Sequence, residues 1–258
     1  MFEYLPVIVA AFTGSCLSFF CGFGLGTLLL PAFLLFFPLD VAIAASAVVH
    51  MLNNLFKLFL VGRQADKRMV KVFGIPSAAG AIAGSLVLTL FVGFSAIATY
   101  HLGDSTFTIE PMNVVIGLII IAFAFFEIHP SYKSIQIAPK FLPAGGFISG
   151  FFGGLSGHQG ALRSAFLMKS GLSKEAFIGT RVVIACIVDL TRITVYSTQI
   201  KAGWQQIDIK LLGAATFAAF AGAWLGNKWM KKTEIGVLNV IISVSLILFG
   251  ILLLMGIV

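Results

Sequence analysis

Cys21-Gly22-Phe23-Gly24-Leu25-Gly26-Thr27-Leu28-Leu29-Leu30-Pro31 and Gly153-Gly154-Leu155-Ser156-Gly157-His158-Gln159-Gly160-Ala161-Leu162-Arg163 are two glycine-rich breaks, each set inside a long apolar stretch. A constant offset of 134 places Gly26 on Gly160, Phe33 on Leu167, Leu39 on Ser173, Ala42 on Ala176 and Ser46 on Thr180. Each break leads to an apolar run, a short turn and a long apolar helix. An internally repeated membrane chain with an interrupted segment in each half is the pattern of a transporter that holds its substrate where the breaks meet.

Composition makes the membrane assignment. The chain is 59% hydrophobic and only 10% charged, with a mean hydropathy of +1.04, whereas a soluble domain carries roughly a quarter charged residues. Met1-Phe2-Glu3-Tyr4 has no basic n-region, and the apolar run continues past Phe20, so a cleaved signal peptide is not expected. Cys16, Cys21 and Cys186 lie in apolar surroundings and form neither a disulfide framework nor a zinc pattern. No metal and no cofactor are expected. The net charge of +7 sits mainly beside apolar segments, where it orients the chain in a bilayer rather than recruiting nucleic acid.

Eight apolar segments can be read, at roughly 5–37, 40–62, 70–93, 107–128, 141–169, 174–198, 207–227 and 235–258. About 20 residues cross a bilayer core. The first and fifth segments are too long for one crossing and too short for two, and each carries its glycines near the middle. Each therefore reads as two half-helices that meet inside the membrane and return to the side they left, with the irregular backbone covered by protein or a wet cavity. Arg63, Lys67, Arg68 and Lys71 mark one loop as cytoplasmic, while the next holds Asp104 and Glu110 with no Lys or Arg. Lys133 and Lys140 then lie inside, and Lys228, Lys231 and Lys232 would fall outside if the fifth segment crossed fully; with both broken segments folded back, all four loops agree. The expectation is an all-α polytopic membrane protein of two inverted repeats, each a Gly-broken re-entrant or long helix plus three transmembrane helices. The repeats span 1–128 and 141–258, joined by a cytoplasmic linker at 129–140, with both termini outside.

His50, Asn53, Asn54 and Lys57 stand at i, i+3, i+4 and i+7, on one face of the second segment. Opposite lipid each is expensive, so the stripe faces protein or water. It is either a hydrogen-bonded packing seam, with Lys57 snorkelling to the cytoplasmic end, or a wall of a substrate path. In the sixth segment Asp189 and Arg192 at i, i+3 can pair, while Arg181 has no acid one turn away and is a candidate anion ligand or an end-of-helix anchor. Ser156, His158, Gln159 and Arg163 lie at and after the second break. A helix restarting at Gly160 aims unpaired N–H groups and a positive dipole end at the break, as does one restarting near Gly26-Thr27. The glycines themselves serve either this close approach or helix packing. The predicted binding set is Gly24, Gly26, Thr27, His50, Asn53, Asn54, Lys57, Ser156, Gly157, His158, Gln159, Gly160, Arg163 and Arg181. Its cations outnumber its acids, which points to an anionic ligand.

At these residues the chain resembles the sulfite exporter TauE/SafE family, the TSUP family of anion permeases. The resemblance rests on Gly22-Phe23-Gly24-Leu25-Gly26 with Pro31 five residues on, then Pro38 and Ala42. It rests also on Gly153-Gly154-Leu155-Ser156-Gly157-His158-Gln159-Gly160 leading to Gly171-Leu172-Ser173-Lys174-Glu175-Ala176. It covers essentially the whole chain. It implies a multi-pass permease of the cytoplasmic membrane for sulfite, sulfoacetate or related sulfonates, with no ATP-hydrolysing domain. The chain departs from the family pattern at Ser156, His158 and Gln159, where many relatives are richer in glycine, and at Ala165, which replaces the proline usual after that break.

Two other classes stay open on sequence. Gly154-Leu155-Ser156-Gly157 resembles a nucleophile site, with His50 or His158 as base, which would make an intramembrane serine protease. An anion channel could use the same scaffold as a carrier. The expected partners are a small sulfur-containing anion and the lipid bilayer, with a homodimer left open.

Overall fold

The computed structural model describes residues 4–18, 24–91, 94–129, 137–168, 170–203, 208–229 and 236–258. Cys21, Gly22, Phe23, Lys133, Lys231 and Lys232 lie outside the described residues. Ten helices carry the described chain, and they fall into two series of five. The first series is α1 (Leu5–Leu17), α2 (Leu25–Leu34), α3 (Leu39–Val61), α4 (Lys67–Phe91) and α5 (Pro111–Ile128). The second is α6 (Leu142–Ser156), α7 (Gly160–Leu167), α8 (Lys174–Gly203), α9 (Ile209–Trp229) and α10 (Gly236–Leu254).

Local chemistry sets the helix ends. Pro6, Pro111 and Pro143 stand in the first turns of α1, α5 and α6, where a missing N–H costs nothing. The Asp66 side chain caps α4 by accepting from Met69 N at 2.7 Å. Gly157 ends α6 in the left-handed conformation, φ 81°, which a residue without Cβ adopts freely. Four helices, α3, α4, α5 and α9, are both long and apolar enough to cross a membrane. At 30 residues α8 is also long enough, about 45 Å at 1.5 Å per residue, but it carries buried Asp189 and Arg192. Large apolar side chains face outward along the bundle, among them Phe59 at 87% exposure and Phe217 at 74%. That outer surface suits lipid, not water.

Both broken segments fold back on themselves. In the second, Gly145 of α6 lies against Phe166 of α7, and Ser149 Oγ donates to the Gln159 carbonyl at 3.2 Å. In the first, Gly14 of α1 lies against Leu25 and Leu28 of α2. The packing pairs of the two series also correspond. α4 packs on α6, and α9 packs on α1; α8 lies against α4, and α3 against α9. α3 meets α8, and α5 meets α10. The α4–α6 seam is close enough for backbone contact: a Cβ on Gly150 would overlap the Ser77 carbonyl. On the opposite seam, a Cβ on Gly222 of α9 would overlap the Phe12 carbonyl of α1.

Loops gather at two ends. The Asp66 N–H donates to Thr180 Oγ1 at 2.9 Å, so the basic loop after α3 lies beside the start of α8. From there α4 and α8 both run to the opposite end. At that end the Tyr4 hydroxyl donates to Asp208, and the Tyr100 hydroxyl donates to the Met255 carbonyl at 2.7 Å. Tyr100 belongs to a β-hairpin, β1 (Ala98–Leu102) and β2 (Ser105–Ile109), that the sequence reading divided between a polar stretch and the start of the fourth apolar segment.

Candidate functional site

The polar stripe of α3 is buried along its whole length: His50, Asn53, Asn54 and Lys57 all face protein. Their partners divide the stripe. His50 and Asn54 turn to α8, where His50 Nδ1 lies 2.7 Å from Asp189 Oδ2 and Asn54 Nδ2 donates to the same oxygen at 2.7 Å. Asp189 also accepts from Arg192 Nε at 3.1 Å, and the same guanidinium forms an ion pair with it, Nη2 to Oδ1 3.0 Å. The pairing of Asp189 with Arg192 within one helix is therefore extended across the bundle to α3. Asn53 turns the other way, towards α1 and α9. With its oxygen facing the donors, it accepts from Lys57 Nζ at 3.1 Å and donates to the Ala219 carbonyl at 3.1 Å. Lys57 also donates to Ser18 Oγ, next to the first break.

The two breaks meet. A Cβ on Gly26 would stand 3.4 Å from the Gly157 carbonyl and 3.6 Å from His50 Cδ2. Gly24 caps α2, and Gln159 caps α7. Around this junction lies a cavity of roughly 560 Å³, part of it open to solvent. The first break contributes Ser18, Gly24, Gly26 and Thr27, and α3 contributes His50, Asn54 and Lys57. The second break contributes Gly157, Gln159, Gly160 and Arg163. Arg181 of α8 completes the polar lining, and Ile178, Val182 and Ala185 form an apolar wall on the same helix.

Lys57, Arg163 and Arg181 line this space, and no carboxylate does among the described residues. The nearby acid, Asp189, is fully buried and held by His50, Asn54 and Arg192. Arg163 Nη1 donates to Gln159 Oε1 at 3.0 Å, while Arg163 Nε and Gln159 Nε2 are buried without a hydrogen-bond partner among the described residues. The Arg181 guanidinium lies over the Phe177 ring, 5.2 Å from its centroid. A space lined by spare donors and positive charge can hold an anion through charge-assisted hydrogen bonds.

Eleven of the fourteen residues singled out from sequence line the cavity; Asn53, Ser156 and His158 stand behind it. His158 stacks on Phe123 of α5, with centroids 6.2 Å apart. Its Nδ1 is 3.2 Å from Ser156 Oγ, which donates to the Phe152 carbonyl at 3.1 Å. Sequence reasoning missed Ser18 and the Ile178, Val182 and Ala185 wall. The wall was legible, since these residues share a helical face with Arg181.

The family model described as sulfite exporter TauE/SafE matches residues 7–253. The chain belongs to the sulfite exporter TauE/SafE family. No curated protein matches it. Members of this family are membrane transporters, so the chain is a multi-pass anion transporter of the sulfite exporter class and not an enzyme. The contact between Ser156 and His158 therefore belongs to the packing behind the second break, not to a protease.

Proposed function

We propose that the chain is a secondary carrier for small sulfur-containing oxyanions such as sulfite, sulfoacetate and other organosulfonates, bound midway through the membrane between the two glycine breaks. The observation that carries this reading is the convergence of Gly26 and Gly157 on a cavity lined by Lys57, Arg163 and Arg181 with no lining acid among the described residues. Arginine presents a planar fork of donors that fits the oxygens of a sulfonate or sulfite as it fits phosphate. The first turns of α2 and α7 add N–H groups from two sides. The two series of helices act as inverted repeats. Two features support this: the corresponding packing pairs, and the basic loop of Arg63, Lys67, Arg68 and Lys71 at the end opposite Asp104 and Glu110. In this arrangement the basic end is cytoplasmic, both termini are outside, and the protein sits in the cytoplasmic membrane.

The test is sulfite flux into vesicles containing the purified protein, compared with Arg163→Ala and Arg181→Ala. Losing one charged hydrogen bond is worth about 1.5–3 kcal/mol, a weakening of roughly 10- to 150-fold. Unchanged apparent affinity and rate in both variants would remove the cavity as the anion site.

A further inference from the structure

The two ring nitrogens of His50 face different things. Nδ1 lies 2.7 Å from Asp189 Oδ2, an oxygen that also accepts from Asn54 Nδ2 at 2.7 Å. The other oxygen, Oδ1, accepts from Arg192 Nε and forms an ion pair with that guanidinium. A carboxylate paired with Arg192 and accepting from Asn54 is ionised and offers only lone pairs, so Nδ1 carries the ring hydrogen. A neutral ring then has a bare lone pair at Nε2. That nitrogen points to the junction of the breaks: a Cβ on Gly24 or Gly26 would lie 4.0 Å or 3.9 Å from it. Among the described residues the ring's partner in this tautomer is Asp189, at Nδ1; Asn54 Nδ2, 3.0 Å from the same nitrogen, gives its hydrogen to Asp189 Oδ2.

An oxyanion in this cavity therefore meets an acceptor where it needs a donor. One proton on Nε2 removes the conflict. The proton arrives from solvent, or on the anion as its own O–H; either way it forms an N–H···O or N···H–O contact and no other bond changes. We propose that His50 Nε2 is a proton-binding position, so that the carrier takes up one proton with each oxyanion. This rests on the cavity being the anion site.

The surrounding charges tie the two events together. From α8, Asp189, Arg192 and Arg181 face the region of His50; from α7, Arg163 does; Lys57 stands two turns along α3, and Cys16 of α1 lies beyond it. Cys186 of α8 lies near Asp189. α2 brings no titratable group among its described residues, and α9 carries Lys210 and Lys228 only near its ends. Asp189 offsets an imidazolium, yet three lining cations oppose a further positive charge until an anion enters. Proton and anion thus favour each other's binding, and by linkage the effect is reciprocal.

The experiment is titration calorimetry of the purified protein with methanesulfonate, which has no titratable proton near neutral pH, in buffers of different ionisation enthalpy. The expected result is net proton uptake that rises towards one per anion as pH increases. The Kd for methanesulfonate should weaken with rising pH by up to tenfold per unit. His50→Gln, whose amide donates without a proton from solvent, should bind with no such uptake and a flat pH profile. Binding by the wild type with no proton uptake overturns the proposal, as does undiminished uptake in His50→Gln. If His50→Gln fails to fold or bind, the wild-type pH slope decides. No heat in the wild type with either methanesulfonate or sulfite overturns the anion-site reading and this one with it.

Discussion

Adding one methyl group at Gly26 and one at Gly150 should separate transport from stability in opposite directions. At Gly26 the new Cβ falls 3.4 Å from the Gly157 carbonyl and 3.6 Å from His50 Cδ2, both ordinary contact distances. No backbone must move, and the position is in the first turn of α2, where replacing glycine by alanine favours a helix by up to about 1 kcal/mol. The methyl nevertheless occupies the meeting point of the breaks. It should displace an anion from at least one charged hydrogen bond, about 1.5–3 kcal/mol, or roughly 10- to 150-fold in apparent affinity. At Gly150 the new Cβ overlaps the Ser77 carbonyl, so α4 and α6 must part. Overpacking of this kind costs about 1–3 kcal/mol, and a clash against backbone belongs at the upper end. Gly26→Ala should therefore melt at or above the wild-type temperature and transport poorly. Gly150→Ala should melt lower and transport near normally per folded molecule. Thermal unfolding in detergent and sulfite flux in vesicles measure the two axes. Normal affinity and flux in Gly26→Ala would refute the assignment of the junction as the anion's seat.

Gly157→Ala should lose stability for a different reason. Its φ of 81° costs a side-chain-bearing residue about 1–2 kcal/mol, and the new Cβ would lie 2.7 Å from Arg192 Nη1, pushing that guanidinium off Asp189; a melting temperature equal to the wild type would contradict this. Lys57→Met keeps the buried stem and removes the charge, so sulfite affinity in vesicles should fall while the melting temperature holds; unchanged affinity would take Lys57 out of the site. Asp208, outside the membrane, has its pKa lowered chiefly by the Tyr4 hydroxyl, and also by the N–H groups of Lys210 and Leu211. A depressed carboxylate pKa means stability present above the ordinary carboxylate range and lost as pH falls through the folded value. Asp208→Asn should thus lose less melting temperature than the wild type between about pH 6 and about pH 3.

What sequence reveals here follows the range of the interactions. The stripe on α3 and the Asp189–Arg192 pair are set by helical spacing, so they are legible from one stretch of chain. The breaks are legible because each glycine cluster sits near the middle of an apolar stretch too long for one crossing and too short for two. The contact of His50 with Asp189 joins residues 139 apart, and nothing in either stretch announces it; only the packing of α3 on α8 creates it. Ser18 is similar, a common hydroxyl given its role by Lys57 of another helix. The hairpin is a different kind of miss. Gly103-Asp104 between Tyr100 and Phe107, with Thr99 on one arm and Thr106 and Thr108 on the other, is a two-residue turn signal, but Phe107 to Ile109 reads equally as the start of an apolar segment. The glycines of the fifth apolar segment divide by position: Gly150 and Gly154 pack against α4, while Gly157 and Gly160 line the cavity.

On the proposed repeat reading, the correspondence extends to the scaffold but not to the chemistry. At the offset of 134, Arg163 corresponds to Leu29, Arg181 to Ala47 and Asp189 to Leu55; His50 corresponds to Ile184 and Lys57 to Thr191. No charged or titratable group at the cavity meets its own kind across the bundle. One half brings a histidine and a lysine on α3, and the other brings two arginines and an aspartate, so neither half alone makes the site. On the proposed inverted-repeat reading, α3 and α8 map onto each other, and the axis relating the halves runs between them. The bridge from Asp189 to His50 and Asn54 then lies on that axis, where a rocking motion displaces atoms least. The close backbone seams lie off it, and each joins a broken hairpin of one half to a spanning helix of the other: α6 to α4, and α1 to α9. Seams that tight resist sliding because a shift drives backbone into backbone. On the proposed carrier reading the rocking bodies would then be mixed, each hairpin travelling with the other half's helix, and the cavity between Gly26 and Gly157 would open along the line where those two bodies part.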